Sequence, residues 1–295
     1  MEYQQRLNGK VRALHASGKN YTQIVIAIAV TYGYSLPIAH RIVDAALCQP
    51  ENDGLLRHRA AEEGADFPDI AVGADNALDL GDTRATVVFE QLAPRIVLVD
   101  GFMSPEECEL MCEIAEPRMR TARVMSKTTL SGNLLTSVRD ANTAFVHEES
   151  HPLVGTIERR IATMTGWAGA RGETLQVQRY RQDGKYVPHY DFFSNKSVSE
   201  THALSVAGQR LATLIVYLRS PRSGGATYMA NLGIKIAPRR GAALFFSYPD
   251  ASERSGTLHG GDPVREGEKW ILTKWFRQRH RALTTSDAHP VAEEA

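Results

Sequence analysis

Apolar residues recur every three to four positions through the first fifty residues, in the segments GKVRALHASG, YTQIVIAIAVTYG and LPIAHRIVDAALC. That period lines an apolar stripe along a helix, so residues 1–50 are expected to form a small helical region. The break from Gly33 to Pro37 resembles the linker of a helix-turn-helix pair. Between residues 51 and 92 the pattern dissolves into Ala, Gly, Asp and Glu (EEGADFPDIAVGADNALDLGD), which reads as an acidic linker without regular structure. No internal repeat interrupts the chain.

The texture changes near residue 93. A short β-run at 95–99 precedes Ser104-Pro105-Glu106-Glu107, which opens a helix. Ser104 can cap it, Pro105 suits the first turn, and Glu107 completes a capping box. A second helix is expected over 152–164. Short strand-like runs follow at 174–179, 210–218, 233–236, 242–246 and 270–277, separated by turns rich in Gly, Pro, Asp and Ser. Helices followed by many short strands indicate an α+β domain over 93–281, a β-sandwich or barrel with helices on one side. Residues 282–295 are small and polar, and are expected to form a flexible tail.

Composition narrows the function classes. The chain has 295 residues, 43% hydrophobic and 23% charged, which is ordinary for a globular protein with a sizeable core. Thirty-four basic residues balance 34 acidic ones, which argues against general electrostatic binding to nucleic acid or an anionic membrane. Basic residues are sparse in the helical region too, so a cap, a dimerisation element or a peptide-docking module suits it better than DNA recognition. No run approaches the roughly 18–20 apolar residues that span a bilayer. The first residues lack the apolar core of a secretory signal, so a cytoplasmic location is expected. Cys48, Cys108 and Cys112 form neither a disulfide framework nor a zinc pattern, and read as reduced thiols. Nothing in the pattern specifies an oligomeric state.

The chemistry concentrates in Tyr180-Arg181-Gln182-Asp183-Gly184-Lys185-Tyr186-Val187-Pro188-His189-Tyr190-Asp191. His189 and Asp191 are two apart, so on a strand both project from one face. An imidazole and a carboxylate held this way can take adjacent positions on a divalent metal. His259, in Leu258-His259-Gly260-Gly261, would complete a 2-His-1-carboxylate triad with positions left open for substrate and dioxygen. Taken alone, such a pair is also met on ordinary surfaces. Ten residues after His259, Lys269 could project a cation into the same pocket. Removing that lysine from water without an anion is costly, which argues for an anionic ligand such as an oxoacid with a distal carboxylate.

Five blocks in order carry a family resemblance: RIVLVDGFMSPEECELMCEIAEPRM, LQVQRYRQDGKYVPHYDFF, GQRLATLIVYLRSPRSGGATYM, IAPRRGAALFF and LHGGDPVREGEKWILTKWFRQR. Over residues 95–279 they closely resemble the prolyl 4-hydroxylase group of Fe(II)/2-oxoglutarate-dependent dioxygenases. The first 90 residues lie outside the resemblance. It implies a double-stranded β-helix (jelly-roll) with Fe(II) held by His189, Asp191 and His259. Lys269 would then pair with the far carboxylate of 2-oxoglutarate, helped by Tyr180 and Thr227. Tyr186, Arg210 and Trp275 fall where the family places groups that line the peptide or hold the catalytic oxygen; an ion-pair role for Arg210 and a core role for Trp275 are the alternatives.

The implied reaction consumes O2 and 2-oxoglutarate, releases succinate and carbon dioxide, and hydroxylates a C–H bond, with ascorbate as reductant. The carboxylate at Asp191, where a halogenase would carry Ala or Gly, favours hydroxylation. The expected partner is a proline-containing peptide or protein. Two other readings stay open: the same chemistry on another side chain or a small molecule, and a non-catalytic sensor of oxygen or 2-oxoglutarate.

Overall fold

The computed structural model describes residues 2–19, 21–32, 34, 39, 42, 43, 46, 67–121, 140–194, 198–249 and 251–280. The chain divides into two compact units, Met1–Ala65 with Gln91–Arg95 and Asp66–Glu90 with Ile96–Ala295. In the first unit, α1 (Glu2–Ala16) and α2 (Tyr21–Tyr32) form as their apolar spacing predicts. Leu7 and Val11 of α1 pack with Ile24, Val25 and Ile28 of α2, and with Ala39, Ile42, Val43 and Ala46 further on. Most of the third expected helix, the linker up to residue 66, Cys48, the tail and residues 122–139 lie outside the described residues.

The second unit holds two main antiparallel sheets. Nine strands build the larger one, in the order β1 (Ala77–Asp79), β2 (Arg84–Gln91), β3 (Ile96–Asp100), β12 (Ala243–Ser247), β8 (Arg210–Arg219), β15 (Lys269–Arg277), β6 (Leu175–Tyr180), β5 (Asn142–Val146) and β4 (Arg120–Thr121). The smaller sheet runs β11 (Ile234–Ile236), β10 (Thr227–Met229), β13 (His259–Gly261), β7 (Tyr186–His189). A short ribbon pairs β14 (Val264–Glu266) with β9 (Ser223–Gly224). Ile215, Tyr217, Leu244, Phe246 and Ile271 of the large sheet meet Met229 and Ile236 of the small one in a shared core. This is the expected jelly-roll, with its site between the sheets.

Two expectations need correction. Strands β1 and β2 lie inside the stretch read as an unpatterned linker. Only Ala85 and Val87 mark the buried face of β2, too short and too small a signal for a period of two to show. Residues 198–207, which fall between the expected strands 174–179 and 210–218, form helix α5 (Val198–Ala207), whose apolar residues follow no single face.

Helix α3 (Pro105–Ala115) starts with the predicted capping box. Ser104 Oγ accepts the Glu107 N–H at 3.2 Å, and Glu107 Oε2 accepts the Ser104 N–H at 2.8 Å. Its face of Cys108, Met111, Cys112 and Ala115 is buried. Burial pushes the two thiols up, to about 11 for Cys108 and about 12 for Cys112, so both stay protonated and unreactive. The helix stops where Pro117 follows, and a single tighter turn (Glu116–Arg118) leads away. Helix α4 (Pro152–Thr165) is capped by His151, whose Nδ1 accepts the Leu153 N–H, and ends at Gly166 in the left-handed region.

Arg160 of α4 ties these pieces together. Its guanidinium holds both oxygens of Asp82 at 2.8 and 2.9 Å, both oxygens of Glu107 at 2.7 and 2.8 Å, and the carbonyl of Phe102 at 3.0 Å. Glu107 thereby closes the cap and anchors the neighbouring helix at once. No helix among the described residues is long and apolar enough to cross a membrane. Arg160→Ala strands two carboxylates beside a buried carbonyl and should cost about 3 kcal/mol of stability, read as a lowered midpoint in urea unfolding.

Candidate active site

Strands β7 and β13 pair so that His189 stands directly opposite His259. Opposed side chains share a face, and the two imidazoles lie 4.3 Å apart between centroids. Glycine at the next position lets the neighbouring strands close on β13: a Cβ on Gly260 would lie 2.5 Å from the Tyr228 hydroxyl and 2.8 Å from the Tyr186 carbonyl. Asp191 follows the end of β7 and turns its carboxylate between the rings. Oδ1 is 3.4 Å from His189 Nε2, and Oδ2 is 3.6 Å from His259 Nε2. Among the described residues, these three form the one group able to hold a metal ion.

The proton positions follow from the backbone. His189 Nδ1 lies 3.0 Å from the Val187 carbonyl, and His259 Nδ1 lies 3.0 Å from the Thr257 carbonyl. A carbonyl only accepts, so each Nδ1 carries a proton, which leaves Nε2 of each ring, on the Asp191 side, as the nitrogen able to bind a metal. Burial, with His189 beside it, pushes His259 down to about 4, which keeps that ring neutral. Burial alone would raise the Asp191 carboxyl; the adjoining His259 and His189 and the Arg210 guanidinium outweigh it and hold the group below its ordinary value. Two lone pairs and a carboxylate facing one another repel unless a cation sits among them. This donor set, neutral nitrogen twice and a carboxylate, fits divalent iron.

Asp191 is held from behind. Thr213 Oγ1 donates to Asp191 Oδ2 at 2.7 Å and lies 2.9 Å from the Tyr248 hydroxyl, all buried. The sequence reading did not single out Thr213 or Tyr248. A threonine in the apolar run LATLIVYL was the available signal for the first, and nothing local marked the second.

Lys269 enters the same pocket from the start of β15, paired with Tyr180 of β6. Its residue is 4% exposed, its Nζ is 3.4 Å from Thr227 Oγ1, and the Tyr180 and Tyr217 rings each lie 5.7 Å away. Among the described residues no carboxylate makes an ion pair with it. Burial pushes its ammonium down to about 8, with Asp262 opposing. Tyr217 donates to Thr227 Oγ1 at 2.9 Å, and Tyr180 donates to Gln178 at 3.2 Å. A buried cation facing an open pocket fits the far carboxylate of 2-oxoglutarate. The structure thus brings together His189, Asp191, His259, Tyr180, Thr227 and Lys269, and adds Tyr186 and Trp275 to the same lining.

Tyr186 stacks on His189 at 3.7 Å. Trp275 is nearly buried, and its indole N–H finds no acceptor among the described residues. Arg210 does not line the pocket. It makes a bidentate ion pair with Glu173 at 2.7 Å, lies 4.0 Å over the Trp275 ring, and donates to the Asp191 carbonyl at 3.2 Å. The ion-pair alternative describes its contacts, and Arg210 positions the metal-ligand segment. Thr213→Val keeps the shape and removes the hydroxyl. It should weaken Fe(II) binding about 10- to 100-fold, read by anaerobic titration.

Comparison with known proteins agrees with this geometry. Residues 175–277, from β6 through β15, match the 2OG-Fe(II) oxygenase superfamily. Prolyl 4-hydroxylase 1 of Arabidopsis thaliana is 36% identical over 219 residues, covering 68% of this chain and 75% of that protein. Probable prolyl 4-hydroxylase 7 of the same plant is 32% identical over 276 residues, covering 86% of this chain and 81% of that one. A crystal structure of a viral collagen prolyl hydroxylase from Paramecium bursaria Chlorella virus-1, in complex with 2-oxoglutarate, is 28% identical. It aligns over 62% of this chain and 94% of its own with a TM-score of 0.46. On the strength of the two plant relatives and the matched superfamily, the chain belongs to the prolyl 4-hydroxylase family of 2OG-Fe(II) oxygenases.

Proposed function

We propose that the protein is an Fe(II)- and 2-oxoglutarate-dependent dioxygenase that hydroxylates a prolyl residue of a peptide or protein. The observation that carries this reading is the convergence of His189, Asp191 and His259 in one pocket with a buried lysine that has no carboxylate partner among the described residues. The prolyl 4-hydroxylases among its relatives support the choice of proline as the target.

Each residue's work follows from its surroundings. His189 Nε2, His259 Nε2 and one Asp191 oxygen would hold the iron. Lys269 would bind and orient 2-oxoglutarate through its far carboxylate, with the Thr227 and Tyr180 hydroxyls beside it. Bound iron and cosubstrate together supply the activation of O2 that inserts oxygen into a C–H bond, with succinate and carbon dioxide as co-products. Ile215 and Ile271 line the pocket and limit water around it. Tyr186, stacked on His189, and Trp275, whose indole N–H has no acceptor among the described residues, would meet the peptide. Ascorbate is the reductant in this reading, and the cytoplasm is the compartment. The free thiols of Cys108 and Cys112 suit a reducing environment.

The test is 2-oxoglutarate turnover, read as succinate, with and without a proline-containing peptide, together with the peptide's mass. Faster turnover and one added oxygen on proline support the proposal. Stimulation only by compounds without proline overturns the substrate assignment. Asp191→Ala should abolish hydroxylation, and full activity in that variant removes the metal assignment. Because the Lys269 ammonium is lost as pH rises through about 8, affinity for 2-oxoglutarate should fall above that value. Lys269→Met should bind the cosubstrate weakly at every pH, so a KM profile against pH separates the two proteins.

A further inference from the structure

A second lysine, Lys235, is ion-paired to an aspartate of the pocket lining. Asp191 and Asp262 are the acidic residues that line the pocket. Asp191 serves the histidines, whereas Asp262 shares the pocket lining with Lys269. Its backbone fixes it there: the Asp262 N–H donates to the Ala226 carbonyl at 2.8 Å. Thr227, the next residue, places its hydroxyl 3.4 Å from Lys269 Nζ. A carboxylate in that position has two opposed effects. It helps keep the neighbouring ammonium protonated, and it repels any anion that approaches the ammonium.

Lys235 answers the second effect. It lies on β11 directly across from Tyr228 of β10. Its Nζ passes 5.9 Å over the Tyr228 ring and ends 2.7 Å from Asp262 Oδ2. The ion pair is half in solvent, with 65% of the lysine side chain and 29% of the aspartate side chain exposed, so its energetic weight is modest. We propose that Lys235 is a specificity-determining residue for the dianionic cosubstrate, neutralising Asp262 so that the Lys269 charge is left to the ligand's far carboxylate. This rests on the reading of Lys269 as the 2-oxoglutarate anchor and adds a residue on another strand that tunes it.

The experiment is calorimetric titration of 2-oxoglutarate into Mn(II)-loaded protein under nitrogen, where no turnover occurs. Lys235→Gln should weaken binding about threefold, with a larger loss at low salt than at high salt. The double variant Lys235→Gln/Asp262→Asn should return to the affinity of the unaltered protein. 2-Oxopentanoate, a keto acid without the far carboxylate, should bind equally to the protein and to Lys235→Gln. An unchanged affinity in Lys235→Gln overturns the inference, as does a loss that persists in the double variant or appears equally with 2-oxopentanoate. Lys269→Ala runs alongside: its failure to weaken 2-oxoglutarate binding would remove the anchor itself, a result distinct from the failure of Lys235 to tune it.

Discussion

The register between β7 and β13 is the constraint on which the site depends. Side chains alternate across a strand, so a slip of one residue would send one histidine to the opposite face of the sheet and leave its partner alone. The pairing His259 with His189 is secured on both sides, by β10 against β13 and by the close approach of the Tyr186 carbonyl and the Tyr228 hydroxyl to Gly260. A larger residue at that glycine would push the strands apart. The Nδ1 protons are set locally, because each ring finds a carbonyl two residues earlier in the chain. Backbone geometry therefore decides where the metal-binding lone pairs point.

Asp191 lies beyond the end of β7 and needs other supports. Thr213 fixes its carboxylate and Arg210 fixes its carbonyl, both from β8. Arg210 is itself immobilised by Glu173, which also accepts from Arg277 at 2.9 Å. Arg277 reaches on to the Ala203 carbonyl of α5 and to that of Gly208. Gln209 closes the base of the intervening segment, accepting the Phe193 N–H at 2.8 Å and donating to the Phe193 carbonyl at 2.9 Å. The third ligand, the pocket wall at Trp275 and helix α5 thus share one buried network of charged and amide groups. Removing Glu173 would take from Arg210 and Arg277 the carboxylate they share, which is the costly case for a buried pair.

Which parts of this were legible in the sequence depends on whether the signal is local. The capping box at Ser104 and the apolar runs of β8, β12 and β15 declare themselves within a few residues. So does His189 with Asp191, because a spacing of two has a direct meaning on a strand. His259 and Lys269 entered through the order and spacing of whole blocks. Arg210 shows the limit of such transfer: its position was identified, and its partners, Glu173 and the Trp275 face, come from other strands. Tyr248 was invisible for the same reason, since its value lies in touching Thr213 thirty-five residues away. The strands β1 and β2 were missed because Ala85 and Val87 carry too little apolar weight to be seen among acidic neighbours.

The two ends of the pocket make opposite electrostatic demands. At the histidine end, lone pairs and a carboxylate gather and call for a cation; at the Lys269 end, an ammonium is held away from water and calls for an anion. Neither demand is met from within the described part of the protein, and a core with such groups side by side would ordinarily close by pairing them. It does not close because Ile215 and Ile271 and the Tyr180 ring stand in the lining alongside Lys269, and because Asp191 is already turned toward the rings by Thr213. Keeping the two charges apart costs stability in the empty protein. That cost is the reason a ligand with a metal-chelating head and an anionic tail is recognised at both ends at once, and why a keto acid without the tail would satisfy only one of them.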